Sequence, residues 1–170
     1  MYSFWEDSYV TSQFTTIKNI IPDLGIIMEK NLFYPTSGGQ PSDSGQIKFD
    51  NQIASISEAR KTKNEDILLV LESFPNNLQV GMQGLQEINW ELRYRHMRMH
   101  TALHLLSVVI PLPVNGGQIG EMKSRLDFNM PDPIENKQKI EDEINDLIQK
   151  DLNVEQLWIA EIELDKNPKL

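Results

Sequence analysis

Trp90-Glu91-Leu92-Arg93-Tyr94-Arg95-His96-Met97-Arg98-Met99-His100-Thr101-Ala102-Leu103-His104-Leu105-Leu106-Ser107-Val108-Val109 is the stretch on which the reading of the fold turns. Before it, apolar residues tend to alternate, as in half-buried strands. Within it, Trp90, Tyr94, Met97, Ala102, Leu105, Leu106 and Val109 recur at helical spacing, and Pro111 stops the run. The change of period predicts a helix over residues 88–110.

Upstream, residues 9–20 are rich in β-branched and aromatic side chains and read as a strand. Pro22-Asp23 turns the chain, and residues 24–30 read as the hairpin partner. Residues 31–45 form a loop dense in Gly, Pro and Ser. Three short strands are expected at 46–49, 52–58 and 66–72. The pattern then breaks between residues 75 and 86.

Downstream, Asn115-Gly116-Gly117 reads as a turn followed by strands at 118–122 and 124–128. Asp132-Pro133-Ile134-Glu135 reads as a helix start, with Asp132 as N-cap and Pro133 at the first helical position. Ile140, Ile144, Leu147 and Ile148 give that helix an apolar stripe. Val154, Trp158, Ile162 and Leu164 would share one face of a final strand, and residues 166–170 read as a loose end. The expected class is α+β. A small, barrel-like β lobe would span residues 1–85, and a lobe with a helix on an antiparallel sheet would span residues 86–170.

Composition narrows the function. A chain of 170 residues can bury a core without staples. With no Cys there is no disulfide, thiol nucleophile or thiolate metal site. No apolar run reaches membrane-spanning length, and Glu6 and Asp7 stand where a signal peptide would be basic or apolar. A cytoplasmic location is expected. The net charge of −9 argues against a general nucleic-acid coat. It is unevenly spread, however: residues 86–130 are net +1 and hold all three His and four of the five Arg. An anionic partner would be met there, although Arg93, Arg95 and Arg98 also fit an ordinary solvated helix face.

Two groups of residues could carry chemistry. His100 and His104, four apart on a helix, project from one face and could share a metal ion, with zinc the default for imidazole. Thr101 occupies the place of the zincin general base, so a zincin mechanism is not indicated. The pair equally fits two histidines at a helix surface. The second group is the loop Pro35-Thr36-Ser37-Gly38-Gly39-Gln40-Pro41-Ser42-Asp43-Ser44-Gly45. Its paired glycines permit close backbone approach, and its hydroxyls, amide and carboxylate are concentrated in a short span. It also fits a simple polar hairpin loop.

Taken together, the motifs resemble a known family. Residues 33–45 resemble the Gly-Gly-Gln-x-x-Asp-x-Gly loop of the alanyl-tRNA synthetase editing domain. Residues 99–106 resemble its His-x-x-x-His zinc helix. Gly116-Gly117-Gln118-Ile119 with Arg125-Leu126-Asp127-Phe128 is similar to a third block, and residues 140–154 resemble the family's acidic helix. The order matches that of stand-alone, AlaX-type editing proteins. The resemblance implies hydrolysis of mischarged tRNA(Ala), chiefly seryl-tRNA(Ala) with glycyl-tRNA(Ala) second. It implies zinc held by His100 and His104, and Gln40, Thr36 and Asp43 beside it in the catalytic loop. Arg93, Arg95, Arg98, Lys123 and Arg125 would meet the tRNA. In the family a downstream Cys-x-x-x-His pair completes the zinc site, and this chain has no Cys. Two alternatives follow: a shortened relative that binds tRNA without turnover, or another metal-dependent esterase on the same scaffold.

Overall fold

The computed structural model describes residues 3–155 and 157–166. The chain divides into two compact units, residues 1–133 and 134–170. The expected lobe boundary at residues 85 and 86 lies inside a strand of the first unit.

The first unit opens with a one-turn helix, α1 (Ser3–Glu6), whose Phe4 enters the core. Six strands follow: β1 (Ser12–Ile21), β2 (Gly25–Met28), β3 (Gly45–Phe49), β4 (Gln52–Lys61), β5 (Ile67–Leu71) and β6 (Gln83–Ile88). All neighbours are antiparallel, and the sheet closes as a barrel in the order β1-β2-β5-β4-β3-β6. Ile17, Ile26, Ile47, Ile56, Ile67 and Leu69 fill it, each 2% exposed or less. The Pro22-Asp23 turn forms as expected, with Asp23 at a φ of 60°.

The α+β class and barrel-like half are as the sequence indicated, but β6 was not expected. Its inward positions are Gly84, Gln86 and Ile88, and two of these are not apolar. A Cβ at Gly84 would come within 2.6 Å of the Ile47 side chain, so the barrel has no room for one. Gln86, fully buried, donates to Lys30 O (2.9 Å) and accepts from Leu32 N (3.3 Å). Sterics and hydrogen bonding therefore chose residues that hide the alternation.

Helix α2 (Trp90–Val109) follows directly. Asn89 caps it, accepting from Leu92 N at 3.2 Å. Its fully buried side chains are Arg93 and His96, while Tyr94 is 40% and Val108 68% exposed. The apolar positions of this helix are only half-buried or exposed, and the buried Arg93 ties it to Asp43 and Leu32 O. Next come β7 (Val114–Gln118) and β8 (Arg125–Phe128), an antiparallel pair. Asn115-Gly116-Gly117 is thus part of a strand, and residues 119–124 make the connection.

In the second unit, α3 (Lys137–Gln149) starts four residues later than expected. Asn136 rather than Asp132 is the cap, accepting from Lys139 N at 3.0 Å. Ile140, Ile144 and Leu147 of its stripe are half-buried, and Ile148 is exposed. The expected last strand does not form among the described residues: residues 154, 155 and 157–160 have no regular structure, and α4 (Glu161–Lys166) is a short helix. A strand needs a hydrogen-bonded neighbour, and these residues pair with none among those described. Most of the expected loose end, residues 167–170, lies outside the described residues. No helix among the described residues is long and apolar enough to cross a membrane.

Candidate active site

The site begins with a two-residue turn. Ser37 and Gln40 exchange both backbone hydrogen bonds (3.1 and 2.9 Å), with Gly38 at φ 56° and Gly39 at φ 76° between them. Two consecutive positive φ values define the tight hairpin geometry for which Gly-Gly is suited. Gly39 carries a second constraint, since a Cβ there would sit 2.8 Å from Gly117 O. Its own carbonyl accepts from Ile119 N at 2.8 Å. The Gly-Gly-Gln loop is thereby seated on the edge of β7, and the Tyr34 hydroxyl, which donates to Ser37 O (3.2 Å), braces it from within. Burial is the main reason that the Tyr34 phenol is held above its usual range, so it stays a donor.

This turn delivers Gln40, 4% exposed, to α2. Gln40 Oε1 lies 2.9 Å from Nδ1 of His100, sixty residues away in the chain. With the amide oxygen as acceptor, the imidazole proton sits on Nδ1, and Nε2 of His100 keeps its lone pair. Burial first, then the neighbouring His104, hold His100 below the usual histidine range, so it is neutral at neutral pH. The two imidazoles are nearly parallel, with centroids 5.1 Å apart.

The pair borders two clefts. One, of about 280 Å³, is walled by Phe4, Trp5, Tyr34 and Met97, with Gln40, His100 and His104 at its polar end. The other, of about 400 Å³, runs between the histidines and Gly38, Gly39, Gly116 and Gly117. The aromatic wall from α1 was not anticipated, although Phe4-Trp5 was a visible signal in the sequence. Gly117 was noticed only as part of a motif; its role as the seat of Gly39 is a tertiary fact.

The other expected site residues scatter. Thr36 is exposed, lines neither cleft, and its Oγ1 accepts from Ser42 N at 3.2 Å. Asp43 is 1% exposed and its Oδ2 is taken by Arg93 and by Tyr34 N (2.7 Å), so it acts behind the loop rather than on a substrate. Arg93, expected to meet tRNA, is 2% exposed. Its Nε donates to Asp43 Oδ2 (2.9 Å) and its Nη2 to the same oxygen and to Leu32 O (2.6 Å). It is closed to a phosphate because its donors are spent inside. Arg95 is paired with Glu121 at 2.9 Å, and Arg125 with Asp127. Arg98 lies 5.8 Å from the Tyr94 ring centroid, and Lys123 is exposed.

Among the described residues no third His, Asp or Glu joins the pair in a metal-binding group. The imidazoles are suitable zinc donors, and the Gln40 contact orients His100 as second partners of metal-bound histidines do. They amount to two donors of the three or four that a stable zinc site requires.

The Gly-Gly-Gln turn and the His-x-x-x-His helix meet at one cleft, in the unit that also holds the closed barrel. The family described as tRNA synthetases class II (A) matches over residues 4–92. The chain is 34% identical over 134 residues to an alanyl-tRNA editing protein AlaX-M of Methanosarcina barkeri, covering 75% of this chain and 55% of that one. It is 30% identical over 154 residues to the AlaX-M protein of Pyrococcus horikoshii, covering 86% and 67%. It is also 31% identical over 160 residues to an alanine–tRNA ligase of Pyrobaculum calidifontis, covering 89% of this chain and 17% of the ligase. The chain belongs to the class II (A) tRNA synthetase family, on its branch of AlaX-type alanyl-tRNA editing proteins. It spans about half the length of the first of these relatives.

Proposed function

We propose that this chain hydrolyses the ester that joins a wrong amino acid to tRNA(Ala), with seryl-tRNA(Ala) the first substrate and glycyl-tRNA(Ala) the second. The observation that carries this reading is the Gln40–His100 contact at the polar end of an open, aromatic-walled cleft. The names borne by the relatives, alanyl-tRNA editing proteins, support it.

An aminoacyl ester is already activated, so positioning and polarisation can carry much of the reaction. Gln40 holds His100 through Oε1 and keeps its NH2 group for the substrate carbonyl or for the hydroxyl of a seryl group. A site that hydrogen-bonds such a hydroxyl rejects alanine more strongly than a methyl-sized pocket could. Where no metal takes its lone pair, the neutral imidazole of His100 is the available proton acceptor as water adds to the carbonyl carbon. The bond to the ribose oxygen then breaks, and that oxygen takes the proton back. Phe4, Trp5 and Met97 give the same space an apolar wall. Zinc, when bound, would be held by His100 and His104 with further donors from outside the described residues, and would supply Lewis acidity.

The test is deacylation of seryl-tRNA(Ala) and alanyl-tRNA(Ala), with zinc and with chelator. Preferential release of serine supports the proposal; no preference under any metal condition sinks it. The two-donor histidine pair favours a second reading, tRNA binding without turnover, which predicts retention of the tRNA with the ester intact.

A further inference from the structure

Tyr34 stands where the aromatic cleft and the Gly-Gly turn meet. Its ring walls the cleft of about 280 Å³ beside Gln40 and His100, and it meets the Phe4 ring edge to face at a centroid distance of 5.4 Å. Its hydroxyl donates to Ser37 O at 3.2 Å, at the tip of the loop. Its backbone closes the base of the same loop: Tyr34 N donates to Asp43 Oδ2 (2.7 Å), and Tyr34 O accepts from Asp43 N (2.9 Å). One residue therefore holds the loop at base and tip while its ring lines the cleft.

The tip needs such a hold. Gly38 and Gly39 leave the turn without side chains to pack, and a Cβ at Gly38 would meet nothing within 4 Å. Glycine also gives the backbone more freedom than any other residue. Ser37 O accepts twice, from Gln40 N at 2.9 Å and from the Tyr34 hydroxyl at 3.2 Å. What fixes that carbonyl therefore also fixes the residue bonded to it, and that residue is Gln40. On the far side of the turn Ile119 N holds Gly39 O at 2.8 Å. The Tyr34 hydroxyl is the counterpart on the cleft side. A side chain that must meet a reacting centre loses rate when its support loosens, even where the fold is kept.

We infer that Tyr34 is a positioning residue: its hydroxyl, through Ser37 O, holds the turn that sets the Gln40 side chain against His100. The consequence for rate rests on the deacylase reading, but the hold on the turn is testable without turnover. Tyr34→Phe removes the hydroxyl alone. It keeps the ring, the Phe4 contact and the cleft wall, so it separates positioning from packing.

Two measurements on the full chain test it. The first follows amide hydrogen exchange in wild type and Tyr34→Phe. The Gln40 amide, bonded to Ser37 O, should exchange about tenfold faster in the variant, while the amides of the barrel strands keep their protection. The second measures kcat and KM for seryl-tRNA(Ala) in wild type, Tyr34→Phe, Gln40→Ala and the double variant. Tyr34→Phe should lower kcat by about tenfold with KM close to wild type. In the Gln40→Ala background the same change should cost nothing further, because no amide is left to place. If wild type deacylates nothing yet Tyr34→Phe exposes the Gln40 amide alone, the deacylase reading fails and the hold on the turn stands. If wild type deacylates seryl-tRNA(Ala) and Tyr34→Phe changes neither kcat nor Gln40 protection, or lowers kcat equally with and without the Gln40 side chain, the positioning role is overturned and the deacylase reading stands.

Discussion

Arg93 and Asp43, fifty residues apart, form an ion pair that is 2% and 1% exposed and fastens the loop that follows the Gly-Gly-Gln turn to helix α2. Arg93 also reaches Leu32 O, Ser8 O and Val10 O, so one guanidinium ties together the loop, the N-terminal segment and the helix. Breaking such a pair from one side leaves a buried charge without its partner, at a cost of about 3–5 kcal/mol. Arg93→Met and Asp43→Asn should therefore lower the unfolding free energy by about that amount in urea titrations. Arg93→Lys should not restore it, because an ammonium cannot reproduce the fork. A loss below about 1 kcal/mol, the scale of an exposed pair, would show that the pair holds nothing.

Gln40 is expected to affect rate more than fold. Its side chain contacts His100, and in the proposed reaction its NH2 group faces the substrate, so Gln40→Ala should slow deacylation by about a hundredfold, the scale for one positioned donor. The thermal midpoint should stay close to wild type. An unchanged rate would remove Gln40 from the site.

Gly39 has neither the backbone conformation nor the space for a side chain. Gly39→Ala should cost about 1–3 kcal/mol in strain. The turn would also be pushed off β7, with a loss of activity larger than that in Gly38→Ala. Gly38 has a positive φ too, but open space where a Cβ would go. Equal effects of the two substitutions on activity would argue against the Gly39–Gly117 seat.

His96 is buried, and desolvation holds it below 6.5, with Asp43 and Glu121 pulling the other way. Above 6.5 both folded and unfolded chains carry it neutral. As pH falls below that value the unfolded chain takes the proton first, so it binds more protons and folding stability drops. The unfolding free energy of wild type should fall from about pH 7 to about pH 5. In His96→Gln part of that slope should vanish; parallel pH profiles would count against the assignment.

His100→Ala and His104→Ala should each abolish zinc uptake measured by equilibrium dialysis while leaving the far-ultraviolet circular dichroism close to wild type. Losing either imidazole leaves a set of donors too small for a stable site. Unchanged metal content in both variants would show that the ligands lie elsewhere.

Local physics was legible in the residues themselves. The switch from alternating to helical period marked where strands end and α2 begins, since side-chain direction follows backbone geometry. His100 and His104 on one face, the backbone freedom of Gly38-Gly39 and the Pro22-Asp23 turn each depend on neighbours within a few residues. Other features depended on partners far along the chain. Closure of the barrel by β6 was hidden because Gly84 and Gln86 answer to Ile47, Lys30 and Leu32 rather than to a hydrophobic pattern. Arg93 looked like a surface cation until Asp43 was found against it. That Gln40 rather than Thr36 lies against His100 was decided only by the fold, which brings Gln40 Oε1 within 2.9 Å of its ring. A hydrogen bond across sixty residues leaves no periodicity in the sequence, so its presence was decided by packing of the loop, β7 and α2 together.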